Sequence, residues 1–86
     1  MNTNELFKQE VKKIPPEVKK QLDLSFAISA MLAEAIKEKG MTQKEFAKFI
    51  GCTEPEVCKW LGGTHNFTLK TIARISVAIN KDLISL

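Results

Sequence analysis

Apolar residues recur at helical spacing through most of the chain, and the clearest stripe lies between Asp23 and Lys39. We expect a helix that starts at Asp23 or Ser25, runs to Lys39 and ends with Gly40 in the left-handed conformation. A stripe of this kind packs in a core far more often than it lines a ligand pocket. Its apolar members are Leu24, Ile28, Met31, Leu32, Ala35 and Ile36.

Two shorter helices follow, and each is marked by a capping box at its start. Thr42 stands three residues before Glu45, and Thr53 stands three residues before Glu56. In such a box the hydroxyl and the carboxylate each accept a hydrogen bond from an otherwise unpaired N–H group. Pro55 suits the first turn of the second helix, where a missing N–H costs nothing. The pattern predicts helices that begin just after Thr42 and just after Thr53.

Glycines are placed to close both short helices. Gly51 lies where the first helix should end with a positive φ, and we expect Gly62 and Gly63 to close the second in the same way. Two capped helices joined by a short turn that contains glycine have the outline of a helix-turn-helix. Beyond them, Thr68 is placed to cap a further helix that ends near Asn80. The buried face of that helix is predicted to contain Leu69, Ile72, Ala73, Ser76 and Ile79.

The start of the chain predicts a separate helical arm with one apolar face. Pro15-Pro16 ends the arm's first helix, and Pro16 opens a second one that reaches Leu22. We therefore divide the chain into an N-terminal helical arm, residues 1–22, and a helix-turn-helix domain, residues 23–86. The apolar face of the arm either docks on the rest of the protein or binds a partner, and both alternatives stay open. The residues of this face are Phe7, Val11 and Ile14.

Composition and charge mainly exclude classes of protein. The chain has 86 residues, of which 44% are hydrophobic, so it suits one small domain with a modest core. The sequence contains no apolar run that would span a membrane and no signal-peptide pattern, so we expect a cytoplasmic protein with no membrane partner. The net charge of +3 is compatible with nucleic acid. Lysines and acids balance within residues 26–63, so the helix-turn-helix is not itself a basic stripe.

Candidate catalytic chemistry is sparse. Cys52 or Cys58 with His65 is the only combination that suggests a nucleophile, and nothing in the sequence orients it. Cys52 is also placed to pack against Val57 as a small hydrophobic residue. Two cysteines and one histidine make no metal-ligand set. We therefore expect a protein that is not an enzyme and that uses no cofactor and no metal.

The central stretch resembles the helix-turn-helix of the phage-repressor and Cro-like proteins, the XRE family. The resemblance implies an all-α, lambda-repressor-like helix-turn-helix bundle, here with an extra N-terminal helical arm. The fuller family pattern carries one more helix, so the usual C-terminal dimer contact is not expected to carry over, and the tail or the arm could pair instead. The residues that carry the resemblance are Thr42, Gln43, Lys44, Glu45, Ala47, Gly51, Val57, Trp60 and Gly63.

The resemblance also assigns roles in DNA binding. In the family, the second helix lies in the major groove and its first residues read base edges, which here indicates Glu54, Pro55 and Lys59. Glu56 lies among them and is interpreted as a capping residue only. For Glu54, base contact and plain solvent exposure stay open as alternatives. Contacts to the phosphate backbone are expected from Gln43, Lys44, Thr64, Asn66, Thr68 and Lys70.

Residues 26–80 look most like antitoxins of the HigA type, which pair with an RNA-cleaving toxin and repress their own operon. The runs that carry this likeness are residues 38–43 and residues 59–71. The likeness implies a homodimer on palindromic double-stranded DNA and a toxin partner, whose contact we assign to the apolar face of the arm. Two alternatives remain: a stand-alone phage-type repressor, and a protein-interaction module that does not bind DNA.

Overall fold

The computed structural model describes residues 14–84, which form four α-helices and no strand. The expected all-α fold is confirmed. Phe7 and Val11 of the predicted partner-binding face lie outside the described residues, and Ile14 stands at their edge with an exposed side chain. Across the same range, every helix is too short or too polar to cross a membrane. The helices are α1, Pro16–Glu38; α2, Gln43–Ile50; α3, Glu54–Leu61; and α4, Leu69–Ile79.

Helix α1 is continuous over 23 residues, so the expected restart at Asp23 or Ser25 is wrong. Pro16 lies in its first turn, and no further proline or glycine interrupts it before Gly40, which has a φ of 66°. Ser25 does not cap a new helix, because its hydroxyl donates to the backbone carbonyl of His65 at 2.8 Å. The division into arm and domain that we drew from the sequence falls inside this one helix.

The core lies where α1, α2 and α3 meet, and α4 packs against α2. Phe46 of α2, Val57 of α3 and Leu32 of α1 are fully buried there. Ala47 is also buried, which agrees with a close approach of α2 and α3. Leu24 is 45% exposed and does not join the core, because the N-terminal end of α1 extends beyond it. The buried apolar residues are Ile28, Leu32, Ala35, Ile36, Phe46, Ala47, Val57, Trp60, Ile75, Ile79 and Leu83.

Helix α4 buries only part of the face expected: Ile79 is buried, and Ile72 and Ser76 are partly buried. Ile75 and Ile79 are buried, whereas Leu69 is 80% exposed and Ala73 is exposed, so the prediction is wrong for these last two. Apolar residues occur nearly all round this helix, so hydrophobic spacing alone does not choose between its faces. In the observed rotation of α4, the side chain of Arg74 reaches across to the C-terminal end of α2.

Candidate nucleic-acid interface

The first helix of the motif begins with a complete capping box. Thr42 Oγ1 accepts a hydrogen bond from the Glu45 N–H at 3.1 Å, and Glu45 Oε1 accepts one from the Thr42 N–H at 3.1 Å. The box predicted here is confirmed. The hydrogen bond from the Thr42 backbone, followed by that of its side chain, lowers the pKa of the Glu45 carboxyl, because both stabilise the charged form. These bonds fix the start of α2.

The second predicted box forms only on the threonine side. Thr53 Oγ1 accepts from the Glu56 N–H at 3.4 Å, but within residues 14–84 no bond returns from the Thr53 N–H to the Glu56 carboxylate. The capping role predicted for the Glu56 side chain is therefore wrong. At this exposed position water solvates the carboxylate as well as the cap would. Two carboxylates, those of Glu54 and Glu56, thus stand exposed in the first turn of α3.

Left-handed glycines close both helices of the motif. Gly51 ends α2 with a φ of 82°, and Gly63 follows α3 with a φ of 89°, as expected. Gly62 instead has a right-handed φ of −69°, so the expectation of a positive φ is wrong for it. One left-handed residue is enough to turn the chain away from a helix, and Gly63 provides it. A Cβ atom on Gly63 would lie 2.7 Å from Cε1 of Phe26, so this loop passes directly against α1.

Side chains from the flanking helices hold the C-terminal ends of both motif helices. Arg74 of α4 donates from Nη2 to the carbonyls of Ile50 and Gly51, at 2.9 and 2.7 Å. Ser29 of α1 donates to the carbonyl of Trp60 in a buried bond of 2.5 Å. Carbonyls in the last turn of a helix lack partners within the helix, and a cation near that end is favourable. The positions of α2 and α3 are therefore fixed from two sides.

Neither the anchoring roles of Ser29 and Arg74 nor the bond from Ser25 to the loop after α3 was expected from the sequence. Ser25 and Ser29 stand four residues apart on the buried side of α1, and a buried hydroxyl needs a partner, so a signal was available. For Arg74 no local pattern exists, because its two acceptors lie 24 and 23 residues earlier in the chain.

The residues predicted to read bases share the exposed side of α3. Glu54, Pro55 and Lys59 are exposed, whereas Val57 and Trp60 turn inward, with exposed fractions of 0% and 5%. Trp60 belongs to the core and is a packing residue rather than a stacking platform. A helix with one packed face and one free face has a diameter of about 10–12 Å, which matches a major groove about 12 Å wide.

The residues predicted to contact phosphates lie in three separate places on the surface. Within residues 14–84, no hydrogen bond connects the residues of one place to those of another. Gln43 and Lys44 are exposed in the first turn of α2. Lys70 is exposed in the first turn of α4, and Thr64 and Asn66 are exposed in the loop between α3 and α4. Two of the three places are thus helix N-termini, where N–H groups and the helix dipole favour an anion.

Thr68 already has a structural task. Its Oγ1 accepts a hydrogen bond from the Thr71 N–H at 3.2 Å and donates one to Thr71 Oγ1 at 2.9 Å. The predicted N-cap of α4 is confirmed. A phosphate contact by the same hydroxyl would require it to give up its bond to the Thr71 side chain.

The two cysteines are free thiols in different surroundings. Cys58 is exposed on α3, and Cys52 is partly buried at the turn. Burial raises the pKa of the Cys52 thiol, and the Glu56 carboxylate raises it further. This thiol is therefore protonated and poorly nucleophilic at neutral pH. Among residues 14–84, no group of His, Cys, Asp and Glu side chains is arranged to hold a metal ion.

Two short helices, fixed by threonine caps and joined by a left-handed glycine, define a helix-turn-helix domain. The sequence profile of the helix-turn-helix family matches residues 32–86, which is more than half of the chain. The chain therefore belongs to the XRE/Cro-like helix-turn-helix family, whose members are DNA-binding transcription regulators. No curated protein and no solved structure matches the chain.

The capping box of α2 predicts a specific loss of stability in acid. Because the pKa of Glu45 is lowered in the folded state, the unfolded chain binds the proton more tightly, and folding stability falls as the pH drops through that folded pKa. Glu45→Gln should lower stability at about pH 7, and its deficit relative to wild type should be smaller at about pH 3, because protonation of the carboxylate removes the difference. Urea unfolding at both pH values measures the difference. Glu34→Gln on the exposed side of α1 is the control, and an equal pH response in both variants would contradict the prediction.

Proposed function

We propose that the chain is a sequence-specific DNA-binding repressor that reads its operator with α3. The observation that carries this proposal is the division of α3 into a packed face, with Val57 and Trp60, and a free face, with Pro55 and Lys59. The bond from Ser29 holds the end of the helix, so the free face is preorganised. A rigid reading helix loses little conformational entropy when it binds, which favours affinity.

The chemistry of the free face matches the edges of G·C base pairs. Lys59 has an ammonium group that donates to guanine O6 or N7, and Glu54 has a carboxylate that accepts from cytosine N4. Pro55 has no side-chain polar atom and contributes only apolar contact, for which a thymine methyl is suitable. Since the Glu56 side chain does not cap its helix, its carboxylate is a further acceptor in the same turn.

Phosphate contacts would set the register of the domain on the duplex. We assign them to the N-termini of α2 and α4 and to the loop before α4, because N–H groups and placed lysines there offer donors to phosphate oxygens. The residues concerned are Gln43, Lys44, Thr64, Asn66, Thr68 and Lys70. Since the net charge is only +3, the affinity of one protomer should be modest. Two protomers that bind together on a palindrome, with half-sites about 34 Å apart, would supply the rest of the affinity.

Within this class, we propose that the protein is a cytoplasmic antitoxin that represses its own operon. The support is the likeness of residues 26–80 to HigA-type antitoxins, together with an apolar set near the start of the chain. That set, Phe7, Val11 and Ile14, is the proposed contact for an RNA-cleaving toxin. Deleting residues 1–14 should then abolish toxin binding while operator binding is kept.

A second candidate function is a module that binds a protein through α3 and does not bind DNA. The observation that favours it is the pair of exposed carboxylates, Glu54 and Glu56, at the start of the reading helix, because negative charges repel phosphates. In that case basic peptides rather than DNA would bind to this face.

Two substitutions test the proposed docking on DNA. Lys59→Ala should cost about 1–3 kcal/mol on the operator and relax the preference at one base pair, because it removes a base contact. Gln43→Ala should weaken binding to all sequences alike, because it removes a phosphate contact. Binding curves on the operator and on scrambled DNA separate the two effects.

Lys19→Ala is the matched control for loss of one positive charge. Lys19 is exposed on the N-terminal part of α1 and is not among the residues assigned to DNA, so its replacement should leave the preference for the operator unchanged. If Lys59→Ala and Gln43→Ala both bind as the wild type does, α3 and the start of α2 do not face DNA.

A further inference from the structure

A groove of about 320 Å³ runs along the N-terminal half of α1, on the side of the helix that faces the loop before α4. The residues of α1 that line it extend from Glu17 to Ile28 and recur three and four positions apart, so they form one stripe of the helix. The rest of its apolar lining comes from Phe67, Ile72 and Ile84. The proposed contact with DNA leaves these apolar residues without a role.

The floor of this α1 groove is apolar, whereas its edge is charged. Leu24 and Ile84 are 45% and 37% exposed, although both are large apolar residues. The Ser25 hydroxyl already donates its hydrogen to the backbone carbonyl of His65, so that hydrogen is not free for a ligand. Glu17 and Lys20 bring opposite charges to the N-terminal end of the groove. The groove therefore suits an apolar segment of polypeptide that is flanked by charged residues.

We propose that residues 1–13 of the same chain fold back along α1 and fill this groove, with Phe7 and Val11 toward its floor. The direction of the backbone supports this occupant. The chain bends at Ile14, and α1 begins at Pro16. The two prolines at positions 15 and 16 keep α1 from continuing straight into the preceding segment. The segment thus joins α1 beside the first residue of the groove.

The segment is long enough to cover the groove. The stretch of α1 from Glu17 to Ile28 is about 16 Å long, at a rise of about 1.5 Å per residue. Residues 1–13 would span about 20 Å as a helix and about 43 Å when fully extended. Because the segment is tethered next to the groove, its effective concentration there is about millimolar. Even a weak apolar contact would therefore keep the groove filled.

The charges of the segment complement those of α1 when the two run antiparallel. Folding back at the bend brings Lys13 level with Glu17, and Glu10 level with Lys20. Both pairs have opposite signs, and the apolar part of the segment then comes level with Leu24. Exposed ion pairs add little affinity, but they disfavour registers that set like charges together. The sequence of the segment therefore fits this groove in one register.

This docking goes beyond the proposed function, because it is a property of the free chain and needs neither DNA nor toxin. It also has a consequence for the proposed toxin contact, which uses Phe7 and Val11. A toxin that binds these residues has to withdraw the segment from the groove first. The docked segment would then be an autoinhibitory contact that weakens toxin binding.

Paramagnetic broadening in nuclear magnetic resonance spectra tests the docking in the full chain. A nitroxide spin label on Gln9→Cys, with Cys52→Ser and Cys58→Ser, should broaden the amide signals of Phe67, Ile72 and Ile84. These residues line the groove although they are far from position 9 in the sequence. Glu10→Lys should weaken the broadening, and adding Lys20→Glu should restore it, because only docking brings these two positions together.

Phe7→Asp in the same labelled chain is the matched control, and it should remove the broadening at the groove. Signals of Phe67, Ile72 and Ile84 that stay sharp without this substitution, or broadening that survives it, would overturn the proposal. A mixed sample identifies which copy supplies the segment. Broadening of an isotope-labelled chain by the spin label of another chain would assign the groove to the segment of a second copy, which also overturns the proposal.

Urea unfolding with the native cysteines is the second test. Phe7→Asp should raise the unfolding equilibrium constant about fivefold or more, because it removes an apolar side chain from the groove. Gln9→Asp adds the same charge at a polar position of the segment and should have a much smaller effect. If the two substitutions have equal effects, residue 7 does not dock.

These outcomes are separable from the fate of the proposed function. Broadening at the groove in a chain that shows no preference for operator DNA would leave the docking standing and remove the repressor. Operator binding by a chain whose groove signals stay sharp would do the reverse.

Discussion

Replacing Phe46 by alanine is expected to cost about 3–5 kcal/mol of folding free energy, the range for truncation of a buried phenylalanine. The Phe46 side chain is fully buried where α1, α2 and α3 meet, so its loss leaves a cavity that the surrounding helices fill only in part. Small domains have a total stability of about 5–15 kcal/mol, so a large fraction of the variant molecules would be unfolded under mild conditions. Chemical unfolding followed by circular dichroism measures the change.

Phe49→Ala is the matched control for this prediction. Phe49 lies one turn further along α2 and contacts the Phe46 ring with a centroid distance of 6.1 Å, but it is 50% exposed. The Lys39 ammonium lies 5.0 Å from the centroid of the Phe49 ring. We expect Phe49→Ala to cost about 1 kcal/mol, because Phe49 buries less apolar surface than Phe46 does. If the two substitutions cost the same, the core is not centred on Phe46.

A graded series is expected when each of three glycines is replaced by alanine. Gly63 has a φ of 89°, and an added Cβ would lie 2.7 Å from the Phe26 ring, so the change should cost about 2–3 kcal/mol. Gly40 has a φ of 66° with no atom within 4 Å of an added Cβ, so only the backbone term of about 1–2 kcal/mol applies. Gly62 has a φ of −69°, and an added Cβ would lie 3.3 Å from the Lys59 carbonyl oxygen, so its replacement carries no left-handed strain and should be the least costly of the three.

Thermal unfolding resolves this series, because 1 kcal/mol shifts the midpoint by about 4–8 °C in a domain of this size. Adding Phe26→Ala to Gly63→Ala should recover the steric part of the cost and leave the backbone part. An equal cost at Gly62 and Gly63 would show that the left-handed turn after α3 is not required.

Local signals in the sequence predicted the local structure well. The caps at Thr42 and Thr68, and the positive φ values at Gly51 and Gly63, follow from interactions within a few residues of the chain. The helix start predicted at Asp23 or Ser25 is wrong, because nothing interrupts α1 there. A residue type suited to capping does not end a helix that tertiary contacts and the lack of a breaker keep intact.

The larger errors come from contacts between distant residues. Hydrophobic spacing does not select the rotation of α4, because Leu69 and Ile75 lie on two faces of similar hydrophobicity. The face that is buried is the one that lets Arg74 bond to a turn more than twenty residues away. The predicted base-reading face of α3 is exposed as a whole, because its opposite side carries the apolar Val57 and Trp60. Which of its exposed side chains touch DNA depends on the partner, and the fold alone does not decide it.

The central claim is that α3 reads a specific operator, and fluorescence anisotropy tests it most directly. The full chain would be titrated onto labelled DNA from upstream of its own gene and onto scrambled DNA, at several salt concentrations. We predict binding that is tighter on the upstream DNA by a factor of about 10³ or more, and that keeps this preference as salt rises. Weak binding that is equal on both DNAs and vanishes with salt would contradict the claim and leave the helix-turn-helix as a scaffold for a protein partner.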